Sequence, residues 1–314
     1  MSTGLPPLRV VVFAYSEMGA MGLEALLALG AEIPLVVTHP DDPDEKSWFR
    51  SVGALAEAAS IPVFRSKGPR APGCRDAVRD ARPDFLFSFY YRRLIPPEIL
   101  VLAPRGAYNL HGSLLPKFRG RAPVNWALIE GAEKTGVTLH VMDADVDHGD
   151  IVGQKEIPIA GRETALSLSR KLVEAGRALL VETVPAIARG EEKHIPQDHA
   201  GATVYGGRRP EDGRIDWSRG AIEIDRLVRA VTDPWPGAFG YLGTRKLTVW
   251  ESWPEEGAGS LRPGTIRMDR DTRTVRVETG GGCLRLERVQ LEGESAGAAW
   301  DSLRGSVEEG GRLT

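Results

Sequence analysis

The stretch NLHGSLLPKFRGRAP, residues 109–123, places an amide and an imidazole close together at the end of an apolar run. Asn109 and His111 are two positions apart, so both side chains leave the same face of an extended chain. An imidazole accepts or donates a proton near neutral pH, and an amide N–H stabilises a developing oxyanion. This pair favours acid–base chemistry at a carbonyl group, although a buried structural histidine would explain the same residue.

Cationic side chains surround this pair in the sequence. Lys117, Arg119 and Arg121 follow it, and Arg93 lies upstream in YYRRLI. Guanidinium groups bind carboxylates and phosphates through paired hydrogen bonds. The cations therefore predict an anionic ligand nearby, with a solvated basic loop as the structural alternative.

The segment DADVDHGD, residues 143–150, concentrates negative charge. Asp143, Asp145 and Asp147 would share one face if the preceding strand continued, and neighbouring carboxylates repel one another unless something neutralises them. A solvated acidic hairpin and a divalent-metal loop are two interpretations, but the spacing is not that of a calcium-binding loop. The third is that Asp147 meets His111 across the sheet, orients its imidazole and stabilises the protonated ring.

Asn, His and Asp side chains around one cleft suit the attack of an amine on a carbonyl. A base accepts the proton of the amine, and preorganised donors stabilise the oxyanion. This chemistry needs no covalent nucleophile. Ser113 follows the histidine, but the G-x-S-x-G pattern of many serine hydrolases is absent, so the sequence does not favour that class.

Alternating strands and helices must position these residues. Dense apolar runs predict buried parallel strands. Apolar residues at helical spacing between Ser16 and Gly30 predict the first helix. Repetition of strand and helix predicts a doubly wound, Rossmann-like α/β sheet, which binds ligands beyond the carboxyl ends of its strands. The turn SEMGAMG lacks G-x-G-x-x-G, which argues against NAD. The predicted elements are a strand over 8–15, a helix over 16–30, a strand over 32–40, a helix over 51–60, and strands over 61–64, 83–95 (with its loop) and 106–112.

The second half of the chain predicts a change of architecture. Residues 135–147 and 150–159 predict the two strands of a hairpin, and 163–190 predicts one long amphipathic helix. Beyond a short helix near 221–232, short strands at close spacing predict a small β-barrel. We therefore expect a catalytic Rossmann-like domain over 1–190, a linker over 191–204, a smaller OB-like β domain over 205–305 and a polar tail over 306–314.

The composition argues against several classes of protein. The 314 residues carry 40 Lys and Arg against 43 Asp and Glu, a net charge of −3, which gives no electrostatic case for nucleic-acid binding. The two cysteines, Cys74 and Cys283, are far apart, as is typical of a reducing compartment. The N-terminus lacks the pattern of a signal peptide, and no apolar run has the length of a membrane span. We expect a cytoplasmic protein without membrane insertion.

With NLHGSLLPKFRGRAP, DVDHGDIV, DPWPGAF and KLTVW, the chain resembles the folate-dependent formyltransferases over nearly its whole length. The family pattern is an Asn, a His two residues on, an SLLP loop, and an Asp followed by x-Gly in the next hairpin. The matching positions here are Asn109, His111, 113–116 and Asp147. The resemblance implies that Asn109, His111 and Asp147 are catalytic. It also implies 10-formyltetrahydrofolate as co-substrate, with no metal and no NAD.

The resemblance also implies folate contacts, and the residue types suggest contacts for a nucleotide. Arg93 stands where the family pattern has a histidine, and His148 and Asp150 stand where small or apolar residues are commoner. An aromatic ring can stack on a base and an Arg can pair with a diphosphate, while Trp235, between prolines, is equally explained by packing. The implied folate contacts are Arg93, Leu94, Ile95, Arg121, Asp143, Ala144, Asp145 and Val146, with the backbone up to Asp147. The candidate nucleotide-sugar contacts are Tyr205, Arg208, Arg209 and Trp235.

Within this family, the resemblance points to the branch that formylates nucleotide-linked amino sugars. The expected acceptor is UDP-4-amino-4-deoxy-L-arabinose, with a separate decarboxylase as a partner in the same pathway. A dTDP-4-amino sugar and methionyl-tRNA are alternative acceptors. The loop HPDDPDEKSW, 39–48, holds four acidic residues against one Lys, which disfavours tRNA. A hydrolase that releases formate from the same folate would reuse the same three catalytic residues.

Overall fold

The structure is a computed structural model and describes residues 6–43, 47–257, 261–307 and 311–314. Residues 44–46 of the acidic loop and 308–310 of the predicted tail lie outside the described residues. Backbone contacts divide the chain into two compact units. The first unit comprises Met1–Pro123, Lys134–Pro158 and Ser169–Gly206, and the second comprises Val124–Glu133, Ile159–Leu168 and Gly207–Thr314. The domain limits expected from the sequence, at 190 and 205, stay a prediction.

Fifteen strands and eight helices lie in the described ranges. The strands are β1 Arg9–Ala14, β2 Glu32–Thr38, β3 Val63–Arg65, β4 Phe85–Phe89, β5 Gly106–His111, β6 Arg119–Gly120, β7 Lys134–Val141, β8 Ile151–Pro158, β9 Val204–Tyr205, β10 Ala238–Leu242, β11 Arg245–Glu255, β12 Ile266–Asp269, β13 Thr274–Glu278, β14 Cys283–Leu291 and β15 Gly297–Ala298. The helices are α1 Ser16–Ala28, α2 Val52–Ala58, α3 Cys74–Ala81, α4 Pro97–Leu100, α5 Pro123–Ile129, α6 Ala165–Arg189, α7 Ala221–Val231 and α8 Ala299–Leu303. Short 3₁₀ turns lie at His199–Gly201 and Pro210–Gly213.

A seven-stranded sheet in the order β3-β2-β1-β4-β5-β7-β8 forms the centre of the first unit. The strands β1 to β5 are parallel, whereas β7 and β8 pair antiparallel. Nearly every residue of β1 (RVVVFA) and β4 (FLFSF) is buried, as expected when both faces of a parallel sheet are covered. The predicted doubly wound α/β sheet is confirmed. Its carboxyl ends bring the loops after β1, β4 and β5 to one edge.

The long helix α6 supports the strand that carries Asn109 and His111. It runs from Ala165 to Arg189, close to the predicted bounds. A Cβ added to its Gly176 would lie 3.1 Å from the side chain of Leu110, so the missing side chain lets the helix lie close to β5. Among the helices that the structure describes, none is both long enough and apolar enough to span a bilayer.

The strand predicted over 135–147 is shorter in the structure, because β7 ends at Val141. The pairing register with β8 shifts just before this point, and the chain then leaves the sheet. The side chain of Asp143 accepts the backbone N–H of Asp145 at 2.9 Å, a local hydrogen bond that competes with strand pairing. The expectation that the three aspartates share one strand face is therefore wrong, since they lie in a turn.

The second unit contains a six-stranded antiparallel sheet, with β10-β11-β14-β13-β12 in order and β15 paired with β14. The C-terminal segment joins the two edge strands: Leu313 pairs with Leu242 of β10, and Arg312 pairs with Thr265 next to β12. This closes the strands into the ring expected of a small β-barrel. The end of the predicted polar tail is thus paired, because the edge strands offer unpaired backbone groups to it. The side chain of Leu313 is buried there, at 1% exposure.

Candidate active site

Four polar side chains meet at the carboxyl end of β5 in the first unit. Asn109 and His111 lie on β5, and His140 lies on β7 directly opposite Asn109. Asp147 reaches the same place from the turn between β7 and β8. Side chains alternate along β5, so Asn109 and His111 lie on the same face. The antiparallel register with β7 places His140 beside them.

The amide of Asn109 is held between a histidine and a carboxylate. Its Nδ2 lies 3.0 Å from Nε2 of His140 and 3.3 Å from Oδ1 of Asp147. Nδ1 of His140 lies 2.8 Å from the carbonyl oxygen of Val141, which can only accept, so Nδ1 carries a proton, and in the neutral ring Nε2 accepts from Asn109. In the protonated ring Nε2 also carries a proton and lies 3.4 Å from Oδ1 of Asp147. His140 is 2% exposed and is not among the residues predicted from the sequence. Its only signal was its place in an alternating strand.

The ring of His111 is anchored through one nitrogen and faces a carboxylate with the other. Nε2 lies 2.8 Å from the carbonyl oxygen of Phe118, so Nε2 carries a proton whether the ring is neutral or charged. Nδ1 lies 3.4 Å from Oδ2 of Asp147, and the two side chains are only 7% and 10% exposed. In the neutral ring, Nδ1 therefore holds the lone pair that accepts a proton.

Asp147 is an ionised carboxylate at an uncommon backbone position. Its φ of +51° lies in the left-handed region, which few non-glycine residues adopt. Oδ2 accepts the backbone N–H of Gly120 at 2.8 Å. Burial raises the pKa of Asp147, but the rings of His111 and His140 and this N–H outweigh burial and hold the pKa well below its usual range. The structure thus brings a negative charge to the basic nitrogen of His111.

The loop after β4 holds three of the implied folate contacts. Arg93 is exposed, and its Nε donates to the backbone carbonyl of Lys67 at 3.4 Å. Leu94 is 53% exposed, which leaves its apolar side chain available to a ligand. Ile95 is 4% exposed and packs in the core with Ile99, so its side chain is not open to a ligand.

The turn after β7 holds the others. Both carboxylate oxygens of Asp143 are engaged, one by the N–H of Asp145 and one by Nδ1 of His148 at 2.9 Å. Ala144 is exposed, and Val146 is 48% exposed, again an apolar side chain open to a ligand. Across the described ranges, no group of three or more His, Cys, Asp or Glu residues is arranged to hold a metal ion.

The basic loop after β5 divides into exposed and buried cations. Lys117 and Arg121 are exposed. Arg119 is 6% exposed; its guanidinium donates to Oε1 of Gln197 at 2.6 and 3.2 Å and lies 2.9 Å from Nδ1 of His199. Nε and Nη2 of Arg119 are therefore used inside the first unit, which argues against Arg119 as an anion ligand. Arg121 keeps an exposed side chain.

The SLLP loop is fixed by side chains that bind its backbone. Ser113 is fully buried and donates to the carbonyl of Lys117 at 2.6 Å, so its hydroxyl is not open to a ligand. Thr138 donates to the carbonyl of Ser113 at 2.7 Å. Gln154 donates to the carbonyl of Leu115 at 2.8 Å and to Thr138 at 2.9 Å. These bonds set the path of the chain that follows His111.

Tyr205, a candidate nucleotide contact, belongs to the first unit. It lies on β9, which pairs with β6. Its ring stacks on Phe118, with centroids 5.4 Å apart and 23° between the planes, and its carbonyl accepts the N–H of Arg121 at 3.0 Å. One face of the ring is therefore covered by Phe118.

Arg208, Arg209 and Trp235 belong to the second unit. The guanidinium carbon of Arg208 lies 4.9 Å from the ring centroid of Trp126, a residue that the sequence did not single out, and Nη2 donates to the carbonyl of Asp212 at 2.7 Å. Burial lowers the pKa of Arg208, and Asp212 opposes this shift. Nε of Arg208 is buried without a hydrogen-bond partner among the described residues. Arg209 is exposed and Trp235 is partly exposed.

Gly112 lies against the buried hydroxyl of Tyr90, next to His111. A Cβ built on Gly112 would overlap the hydroxyl oxygen and lie 2.9 Å from the ring carbon Cζ. Gly112→Ala is therefore expected to lower the free energy of unfolding by about 1–3 kcal/mol, the range for overpacking a core. Urea denaturation followed by circular dichroism measures the change.

The matched control is Gly161→Ala, because no heavy atom lies within 4 Å of the corresponding Cβ. We expect it to change the free energy of unfolding by about 0.5 kcal/mol or less. Tyr90→Phe in the Gly112→Ala background should restore part of the loss, since the Tyr90 hydroxyl has no hydrogen-bond partner in the described part of the chain. Equal stability of the two glycine variants would contradict the overlap.

Two family models and several solved structures match this chain. Residues 8–184 match the model described as formyl transferase, and residues 208–307 match the model described as formyl transferase, C-terminal domain. An N-formyltransferase from Helicobacter canadensis, solved with folinic acid and dTDP-3-aminofucose, is 17% identical with a TM-score of 0.69, over 89% of this chain and 98% of that chain.

Two further structures share the fold. WlaRD, a sugar 3N-formyl transferase solved with dTDP and 5-N-formyl-THF, is 17% identical with a TM-score of 0.68, over 92% of this chain and 99% of that one. HypX from Aquifex aeolicus, solved with tetrahydrofolic acid, is 19% identical with a TM-score of 0.63, over 96% of this chain and 48% of that chain. The present chain thus spans about half the length of HypX. At these identities the likeness shows a common fold.

Proposed function

The chain belongs to the formyl transferase family, and from this premise we propose that it transfers the formyl group of 10-formyltetrahydrofolate to the 4-amino group of a UDP-linked amino sugar. The observation that carries the proposal is the contact between Nδ1 of His111 and the ionised carboxylate of Asp147, beside the amide of Asn109. These three residues are the proposed catalytic group.

His111 is proposed to accept the proton that is released as the amine attacks. The amine attacks in its neutral form, so a base must take a proton as the N–C bond forms. Because Nε2 is held by the carbonyl of Phe118, the proton is taken at Nδ1. The imidazolium then lies 3.4 Å from Asp147, which stabilises it. Low exposure strengthens this attraction, since little water screens the two charges.

Asn109 is proposed to stabilise the oxyanion that develops on the formyl oxygen. Both hydrogens of its Nδ2 face protein acceptors, and the bond to His140 is the shorter, at 3.0 Å. The bond to Asp147, at 3.3 Å, is therefore the one to be exchanged for the formyl oxygen. As the C–N10 bond of the folate breaks, His111 returns its proton to N10. The products are the N-formyl sugar and tetrahydrofolate.

The folate is proposed to bind to the loops after β4 and β7. The exposed side chains of Leu94 and Val146 offer apolar surface to a planar ring, and the backbones of 93–95 and 143–147 offer hydrogen-bonding groups to its polar edge. Arg121 and Arg93 have exposed guanidinium groups that suit the carboxylates of the folate tail. The residue types at these positions fit the ligand, although His148 and Asp150 depart from the family pattern.

The UDP-linked acceptor is proposed from a resemblance to one branch of the family. VVFAYSEMG, FSFYYRRLI, TGVTLH and VRAVTDPWPGAF resemble the formyltransferase half of the bifunctional polymyxin-resistance enzyme, which formylates UDP-4-amino-4-deoxy-L-arabinose. This acceptor would place the reaction in lipid A modification in the cytoplasm, with a separate decarboxylase as pathway partner. The proposed nucleotide contacts are the residues expected from the sequence, Tyr205, Arg208, Arg209 and Trp235.

A dTDP-linked amino sugar is the second candidate acceptor. The Helicobacter canadensis enzyme is solved with dTDP-3-aminofucose and WlaRD with dTDP, so two proteins of this fold are solved with a thymine nucleotide. Methionyl-tRNA is disfavoured, because the net charge of −3 offers no general attraction for a polyanion.

A formyl-transfer assay tests the proposal. Purified protein and 10-formyltetrahydrofolate are incubated with UDP-4-amino-4-deoxy-L-arabinose, a dTDP-4-amino sugar or methionyl-tRNA in parallel, and the folate product and acceptor mass are followed. We expect the mass of the UDP sugar to increase by one CO unit. Transfer only to the dTDP sugar, or only to the tRNA, would show that the proposed acceptor is wrong. Release of formate with every acceptor unchanged would show that the protein is a hydrolase and not a transferase.

A further inference from the structure

Gln197 lies in the segment that the sequence predicts as a linker, yet it is 5% exposed. Its amide Nε2 donates to the carbonyl of Asp147 at 3.0 Å and to the carbonyl of Gly149 at 2.7 Å. Both amide hydrogens are therefore used to hold the turn that carries the Asp147 carboxylate. A solvated linker residue would make no such pair of bonds.

Arg119 binds the oxygen of the same amide. Oε1 of Gln197 accepts from Nε of Arg119 at 3.2 Å and from Nη2 at 2.6 Å, and Arg119 is itself 6% exposed. The next residue, Gly120, donates its N–H to the Asp147 carboxylate at 2.8 Å. The strand β6 thus holds Asp147 twice, directly at the carboxylate and through Gln197 at the backbone.

The backbone of Asp147 needs this support. Its φ of +51° is a left-handed conformation that a non-glycine residue keeps only where neighbouring groups enforce it. If the turn relaxed, the carboxylate would leave its place 3.4 Å from Nδ1 of His111. The electrostatic contribution of Asp147 falls as that distance grows.

We propose that Gln197 is a positioning residue for formyl transfer: its amide holds the turn over 147–149 so that the carboxylate of Asp147 stays beside His111. Gln197 acts through Asp147. The catalytic role of Asp147 in this inference rests on the proposed function. That Gln197 holds the turn of Asp147 in place rests on the hydrogen bonds alone.

Two substitutions distinguish the role of the amide N–H groups of Gln197 from the role of its amide oxygen. Gln197→Leu removes both, and Gln197→Glu keeps an oxygen for Arg119 but loses the amide N–H groups. Each is expected to lower kcat about 10- to 100-fold, the effect of displacing a catalytic group by about 1 Å. The KM for the acceptor should stay unchanged, because Gln197 is not among the proposed acceptor contacts. A Gln197→Glu variant with wild-type kcat would overturn the role of the amide donors.

The matched control is Gln290→Leu, at a second glutamine whose amide nitrogen donates to a backbone carbonyl, that of Glu294 at 2.9 Å, and whose oxygen accepts an N–H, that of Trp250 at 3.3 Å. Gln290 lies on β14 and is not among the proposed catalytic, folate or nucleotide contacts. The variant should lose stability in urea denaturation, with a much smaller change in kcat. Equal losses of kcat in Gln197→Leu and Gln290→Leu would assign the effect to general destabilisation and overturn the proposal.

The backbone amide of Gly120 gives a readout that does not need activity. Its N–H donates to the Asp147 carboxylate, so its proton chemical shift and its exchange with solvent report where that carboxylate lies. In both Gln197 variants we expect an upfield shift and faster exchange at Gly120, and neither in Gln290→Leu. An unchanged Gly120 amide would overturn the positioning role. If the wild-type protein formylates no acceptor, the proposed function fails, and this measurement still decides whether Gln197 places Asp147.

Discussion

His111→Asn is expected to lower kcat for formyl transfer by roughly two to four orders of magnitude, the range for a general acid–base group. Asparagine keeps a polar side chain but cannot accept a proton at neutral pH, so the amine would have to lose its proton to water. Substrate contacts outside the ring remain, and the effect should fall on kcat. Steady-state kinetics at saturating folate and acceptor measure it.

The control for this substitution is His194→Asn, the same chemical change at a side chain that is 44% exposed and lies 3.5 Å from Glu192. Its kcat should match that of the wild type. Near-normal turnover in His111→Asn would remove His111 from the mechanism. Thermal unfolding of both variants checks that any loss of rate occurs in folded protein.

The sheet of the first unit could be predicted because its strands are dense apolar runs. A parallel strand covered on both faces needs apolar side chains at successive positions, as in β1 and β4, and this leaves a strong signal in the sequence. The end of β7 gave no such signal. Asp143 is compatible with a strand by alternation, and only its hydrogen bond to Asp145 shows that the chain has turned.

Residue spacing alone predicts the members of the candidate site that lie close together in the chain, whereas Asp147 needed its charge and the family resemblance. Asn109 and His111 are separated by one residue, so strand geometry alone places them on one face. His140 lies 31 positions from Asn109, and Gln197 lies 50 positions from Asp147, so their contacts depend on the folded path of the chain. Sequence patterns do not determine such a path.

Arg119 and Arg121 show a related limit. The two arginines are neighbours in one basic loop, and their residue type gives both the same capacity for an anion. In the structure Arg119 is 6% exposed and bonded to Gln197, whereas Arg121 is exposed. Alternation cannot distinguish them, because residues two apart would share one face of a strand. In the structure β6 ends at Gly120, so Arg121 lies beyond the strand that holds Arg119.

Asp147→Asn is expected to lower kcat by roughly 100- to 10,000-fold, as for other carboxylates that stabilise a catalytic imidazolium. Asparagine has nearly the same shape, and its oxygen can still accept the N–H of Gly120, so the turn is retained. It carries no charge, so the imidazolium of His111 would form without its counter-ion. Asp80→Asn, at a 71% exposed side chain, is the control and should keep wild-type kcat.

The same substitution tests the ionisation of Asp147 through stability. The folded-state pKa lies below the ordinary value, so the unfolded chain takes up this proton first as the pH falls. The stabilisation is complete above the unfolded pKa of about 3.9 and is lost as the pH falls towards the folded value. The unfolding free energy of the wild type minus that of Asp147→Asn should therefore decrease between about pH 5 and pH 2 in urea denaturation. A constant difference would mean that folding leaves the pKa of Asp147 unchanged, and that His111 and His140 do not act on its charge.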